Sequence, residues 1–230
     1  MKIILNPKYE ALRDYLTHIE EHFEREGREI FRDRNVLRTL EVDGVKLCVK
    51  RYAPLPLRGR LAVRIYKTSK GKKAYIRPLE LRERGFESPE PVAFVRYRKG
   101  WTKTTTYFVC LHSDYNYSLA SLPELDEKMR TEVTTSFARY AARLHEDGFL
   151  HRDLSPDNVL FDKVKERYCF SLIDTNSVKT GRPVSIEKGC ANFARLKGDD
   201  SFFVLLAHEY AAARKADPEL CERLILAARA

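Results

Sequence analysis

The stretch that most constrains this chain is His151-Arg152-Asp153-Leu154-Ser155-Pro156-Asp157-Asn158, because it is wedged between two opposite periodicities. Before it, Met129, Val133, Phe137, Tyr140 and Leu144 recur at helical spacing and Gly148 ends the run. After it, residues 159–161 (VLF) and 169–173 (CFSLI) read as two short strands joined by the polar turn DKVKER. An antiparallel hairpin sets the start of its first strand beside the end of its second. Asn158 and Asp174 are therefore expected side by side, although sixteen positions separate them. An amide oxygen and a carboxylate are hard ligands suited to Mg²⁺, which itself clamps phosphate oxygens. Asp153 lies five residues before Asn158 on the same loop, close enough to meet a hydroxyl attacking a metal-held phosphate. Its task there is orientation more than base catalysis, since a carboxylate with a pKa of about 4 is a weak base and phosphoryl transfer asks little early proton removal.

Upstream, the chain reads mostly as sheet. Asn6-Pro7 starts a helix, Leu12, Leu16, Ile19 and Phe23 repeat at its spacing, and Gly27 stops it, so one amphipathic helix is expected over 7–26. His18 and His22 lie one turn apart on it and read as a solvated pair, with no third metal ligand in view. Strand-like runs follow in EIFRD, VLRTLEV and VKLCVKRY, the last two joined by Asp43-Gly44, a strong hairpin signal. Alternation sends Val45, Leu47 and Val49 to one face and Lys46, Cys48 and Lys50 to the other. Lys50 thus becomes the cation best placed to neutralise nucleotide phosphates. A basic linker at 53–68 leads to a helix over about 70–84, expected to be interrupted by Pro78 and ended by Gly85. Strands follow at 91–97 and 105–111, and beyond the long helix further helices are expected at about 187–196, 199–215 and 218–229.

At 230 residues the chain fits two small lobes, and 43% hydrophobic residues suffice for a core. No apolar run reaches the length of a membrane span, and the N-terminus lacks a secretory signal, so the cytoplasm is expected. The five cysteines are odd in number and never spaced as CxxC, which argues for reduced thiols. The net charge of +9 is concentrated in residues 50–84, where twelve Lys or Arg face only Glu80 and Glu83. Such a region suits an anionic partner, while a solvated basic face is the plainer reading.

HRDLSPDN, Asp174 after the next hairpin and Leu47-Cys48-Val49-Lys50 upstream together resemble the protein-kinase superfamily. Ser155 stands where protein kinases carry a lysine two places after the catalytic Asp, and only 56 residues follow Asp174, with no Ala-Pro-Glu motif. Both features point away from protein substrates. Over nearly its full length the chain resembles the lipopolysaccharide kinase family, which phosphorylates Kdo or heptose sugars of the inner core at the cytoplasmic face of the inner membrane. The likeness is carried by Arg34-Asn35, Val49-Lys50, Ser69-Lys70, Gly85-Phe86, Ser88-Pro89-Glu90-Pro91, Leu144-His145, HRDLSPDN, Ile173-Asp174 and Asn192-Phe193-Ala194-Arg195-Leu196.

The resemblance implies an α+β, bilobal protein-kinase-like fold: an N-terminal antiparallel sheet lobe over 1–112 and a small, mainly helical C-terminal lobe over 113–230. It implies an ATP- and Mg²⁺-dependent kinase with Asp153, His151 and Arg152 as catalytic residues and Asn158 and Asp174 on the metal. ATP would be held by Lys50, Glu80, Asn35 and Cys48. A glycolipid or sugar is the expected substrate, with no nucleic acid, and residues 58–84 are expected to meet an anionic membrane surface through Arg58, Arg60, Arg64, Lys67, Lys70, Lys72 and Lys73. Trp101 reads as a hairpin residue or an interfacial anchor. No glycine-rich phosphate loop occurs around 27–38, where Arg34 or Asn35 would substitute with side-chain donors. Ile76 stands where the acid partner of Lys50 is expected, leaving Glu80, or less favourably Glu83, in that role. Thr175-Asn176 replaces Phe-Gly after Asp174. Two alternatives stay open at this level: a compact protein or tRNA-modification-associated kinase, and a nucleotide-binding scaffold without activity.

Overall fold

The computed structural model describes residues 1–53, 70–99 and 103–229. Residues 54–68 of the basic linker, with Arg58, Arg60, Arg64 and Lys67, lie outside the described residues, as do Ser69 and Trp101. The chain divides into two compact units, Met1–Arg82 with Pro89–Asp114, and Glu83–Ser88 with Tyr115–Ala230.

The first unit is built on a six-stranded antiparallel sheet of β1 (Lys2–Leu5), β2 (Arg28–Arg32), β3 (Val36–Val42), β4 (Val45–Tyr52), β5 (Pro91–Lys99) and β6 (Lys103–Leu111). The order across it is β1-β5-β6-β4-β3-β2. Asp43 and Gly44 both take positive φ, as the two-residue turn between β3 and β4 requires, and the register runs from Val42↔Val45 to Val36↔Arg51. Leu47 and Val49 are buried while Lys46 is exposed and Cys48 and Lys50 are half-buried, so the expected alternation holds. The edge strand β1 has no counterpart in the sequence reading. It pairs Lys2–Leu5 with Arg96–Ala93, a contact no local signal announces.

The single helix expected over 7–26 is broken into a 3₁₀ turn at Pro7–Leu12, α1 (Arg13–Thr17) and α2 (Ile19–Arg25). Side chains compete for the helical carbonyls at the break: Thr17 Oγ1 donates to Arg13 O at 2.8 Å, and His18 Nδ1 lies 3.0 Å from Asp14 O. The apolar stripe survives the break, since Leu12, Leu16, Ile19 and Phe23 are all buried against Leu40, Leu47, Val49, Val95, Tyr107 and Val109. Helix α3 (Lys70–Glu83) keeps close to its expected bounds but runs through Pro78 without the interruption expected there. Its first turn lies so close to the sheet that a β-carbon on Gly71 would come within 2.8 Å of Phe94 and Thr106.

The second unit packs α4 (Glu127–Glu146), α5 (Ile186–Ala191), α6 (Asp200–Arg214) and α7 (Pro218–Arg229) around small sheets. One sheet holds β7 (Tyr117–Ser118), β9 (Val159–Val164) and β10 (Arg167–Leu172), and the other pairs β8 (Phe149–His151) with β11 (Val178–Thr180). The β9–β10 hairpin closes on Lys165 and Glu166, both at positive φ, and is longer than its apolar run suggested. Glu87 and Ser88 join this unit by hydrogen bonds to Leu172, from its N–H to Glu87 O (3.0 Å) and from Ser88 Oγ to its carbonyl (2.7 Å). Phe137 on α4 packs its ring at a tilt against Phe170 and edge-on against Phe193.

Two glycines test how much of this depends on local strain and how much on close packing. Gly148 (φ +79) would set a β-carbon 2.1 Å from Gly181 O, whereas Gly44 (φ +74) has open space. Gly148→Ala should cost well over the ~1–2 kcal/mol of left-handed backbone strain that Gly44→Ala alone incurs. Urea unfolding of the two variants compares them directly.

Candidate active site

The loop 151–158 is tied down by its own polar groups. His151 is fully buried, and its Nε2–H donates to Ile173 O at 3.0 Å while Nδ1 accepts the Asp153 N–H at 3.3 Å. Both ring nitrogens are thus spoken for by a neutral ring, and burial lowers its pKa against the opposing hydrogen bond to Ile173. His151 accordingly holds backbone and does not face solvent, which narrows the catalytic part expected for it to positioning. Asn158 gives Nδ2 to Asp153 O at 2.9 Å, and Ser155 N–H bonds the same carbonyl at 2.9 Å. Buried Leu154 and Pro156 anchor the loop from below, while Arg152 is exposed and Asp153 half-exposed.

Ile173 is gripped from both sides, since its N–H donates to Asn158 O at 3.0 Å and its carbonyl takes the His151 proton. Asn158 and Asp174 are brought together in this way, as the hairpin argument requires. Asp174 sits in the left-handed region (φ 50, ψ 41), a conformation that aspartate tolerates better than most residues. Asn176 Nδ2 bonds the Asp174 carboxylate and approaches its carbonyl at 3.4 Å. With its nitrogen engaged by Asp153 O, Asn158 keeps an amide oxygen as a hard donor, on a residue whose carbonyl bonds the peptide next to Asp174. Among the described residues no three His, Cys, Asp or Glu side chains gather as a metal cluster. Two protein oxygens nonetheless suit Mg²⁺, which keeps several waters and takes the rest of its shell from substrate phosphates.

Behind the loop runs a chain of hydrogen bonds that the sequence did not assign. Arg214 donates to Tyr210 OH (2.6 Å), Tyr210 OH lies 2.9 Å from His145 Nδ1, and His145 Nε2 lies 3.1 Å from Asn192 Oδ1. Asn192 Nδ2 then donates to His151 O at 2.9 Å. The donors and acceptors alternate consistently only if His145 is neutral with its proton on Nε2. Burial pushes its pKa down to about 4, helped by the Arg214 charge and opposed by the bond to Asn192. One turn further, Arg195 forms an ion pair with the Asp153 carboxylate. The segments containing His145 and Arg195 were singled out by resemblance, but nothing in their spacing announced these contacts.

The remaining candidates belong to the first unit. Lys50 on β4 lies over the Tyr52 ring, 5.5 Å from its centroid. Cys110 hydrogen-bonds Cys48 and lowers its thiol pKa, with Lys50 adding to the effect against burial, and Cys110 itself is raised well above the usual thiol range. Asn35 Oδ1 accepts the Ala53 N–H at 3.1 Å, tying the β2–β3 turn to the end of β4. Glu80 is paired with Arg77 one turn back on α3. Lys72 and Lys73 are half-buried on the same helix.

A model of the lipopolysaccharide kinase (Kdo/WaaP) family matches residues 67–199, more than half of the chain. The chain belongs to that family. No curated protein sequence matches it. Among solved structures it is similar to WaaP in complex with acyl carrier protein, with a TM-score of 0.65 at 15% identity, covering 100% of this chain and 97% of that one. That likeness carries the kinase-like fold, and family membership makes the chain an ATP-dependent lipopolysaccharide kinase acting on an inner-core sugar. No helix among the described residues is long and apolar enough to cross a membrane.

The His145 chain makes a signed prediction about pH. Between pH 6.5 and about 4 the unfolded chain binds a proton at this ring that the folded chain refuses. Stability therefore falls as pH falls through that window, by ~3 kcal/mol from this group. Unfolding free energies of His145→Gln should show a shallower acid slope than the wild type.

Proposed function

We propose that the kinase transfers the γ-phosphoryl group of ATP to a hydroxyl of Kdo or heptose in the lipopolysaccharide inner core, with Asp153 orienting the hydroxyl. The observation that carries this reading is the double grip on Ile173, which sets Asn158 and Asp174 beside each other at the end of the Asp153 loop. Mg²⁺ held by Asn158 and Asp174 would neutralise charge on the phosphates. Asp153 meets the acceptor through a carboxylate whose backbone is fixed by His151 and Asn158, so that the hydroxyl arrives already oriented. Arg152 is the exposed cation next to it. Lys50 is assigned to the ATP phosphates, with Cys48, two positions earlier on β4, beside the base, and Asn35 and Glu80 as supporting residues. The two-lobed division at about residue 112 follows from the same reading.

Incubating the protein with labelled ATP, Mg²⁺ and Kdo-lipid A or a heptosylated core lipid tests it. Label should pass to the glycolipid, and Asp153→Asn or Asp174→Asn should cut the rate by about 10²- to 10⁴-fold. Wild-type rates in Asp153→Asn would remove Asp153 from the reaction.

The acceptor belongs to a glycolipid, and residues 58–84 carry a net charge of +8 from ten basic and two acidic residues. We therefore also assign this region to reversible docking on an anionic membrane from the cytoplasmic side, at about 1 kcal/mol per basic residue near the surface. Co-sedimentation with vesicles rich in anionic lipid should be strong at low salt and lost at high salt, whereas neutral vesicles should leave the protein in the supernatant.

A further inference from the structure

We infer that Arg195 is a catalytic residue whose guanidinium binds the transferring phosphoryl group beside Asp153, an inference that rests on the phosphotransfer reading above. In the transfer, the acceptor oxygen forms a bond to the γ-phosphorus. The bond from that phosphorus to its bridging oxygen breaks with the electron pair going to ADP. The hydroxyl proton passes to Asp153 and then to solvent. Throughout, the Asp153 carboxylate and the phosphoryl oxygens are neighbouring anions, and a cation between them is what such a site needs.

Between Asp153 and Asn158 the loop supplies no such cation, because Leu154, Ser155, Pro156 and Asp157 fill those positions. Arg195 does. Its Nη1 contacts Oδ1 of Asp153, and among the described residues no hydrogen bond engages Oδ2, the oxygen that would meet a hydroxyl. The Arg195 side chain is 63% exposed and that of Asp153 39%, which leaves the guanidinium open to a ligand. An exposed ion pair of this kind adds little to stability. The mount beneath it, by contrast, is rigid: Phe193 is fully buried against Phe137, His145 and Tyr210, and Asn192 is bonded to both His145 and His151. A planar fork of five N–H donors can hold the carboxylate and a phosphoryl oxygen at once.

A transition-state analogue separates this role from a purely structural one without needing the sugar. Calorimetry should give the affinities of the wild type, Arg195→Ala, Arg195→Lys and the double variant Arg195→Ala/Ser155→Lys for Mg²⁺-ADP alone and for Mg²⁺-ADP with aluminium fluoride. Arg195→Ala should weaken the fluoride complex by about 10- to 100-fold and leave Mg²⁺-ADP unchanged, with Arg195→Lys intermediate. The double variant should regain part of the loss, since Ser155→Lys returns a cation to the loop. Equal weakening of both complexes, no weakening of either, or a wild type that gains nothing from aluminium fluoride would each overturn the inference. A wild type that binds the analogue as expected but leaves every lipopolysaccharide acceptor unlabelled would instead count against the proposed acceptor.

Discussion

The second unit depends on the peptide of Ile173. Its N–H is held by Asn158 O and its carbonyl by the His151 ring, so the end of β10 and the start of β9 cannot move apart without stranding a buried imidazole. An unpaired polar group at such a depth costs about 1–3 kcal/mol, enough to keep the arrangement closed. Asp174 is the next residue, and its left-handed backbone is the turn that lets the chain leave the hairpin toward β11. One buried histidine therefore sets the spacing between the residue assigned to the acceptor and the residues assigned to the metal.

The hydrogen-bond chain from Arg214 to His151 O extends the same constraint outward. Gly189 belongs to it sterically, because a β-carbon there would lie 2.0 Å from the Tyr210 hydroxyl and 3.0 Å from His145 Nδ1. Helices α4, α5 and α6 thereby converge on a loop that none of them contains. Arg195 hangs from this framework with its charged end in solvent, which is how a surface arginine acquires a defined place beside Asp153.

The two polar families of contacts differ in kind. Those behind the loop are buried and satisfied in one consistent direction, so they specify geometry. Those at its mouth, Arg195 with Asp153 and Asn176 with Asp174, are partly exposed and open to exchange with a ligand. Phosphoryl transfer asks for both, since positioning and charge neutralisation supply most of its catalysis.

Local pattern alone determined much of this protein. The helix before HRDLSPDN, the two strands after it, the Asp43-Gly44 hairpin and the facing of Lys50 each follow from periodicity or turn chemistry, which act over a few residues. The meeting of Asn158 and Asp174 was legible for the same reason, because it needs only hairpin geometry. Tertiary structure decided what depends on distant partners. It brought β1 to β5, broke the 7–26 helix at His18, and carried α3 through Pro78. It also turned His151 inward and set Asn192 and Arg195 against the loop. The contacts of Asn192 and Arg195 join residues more than forty positions apart and leave no period in the sequence; they exist only once the buried framework behind the loop has formed.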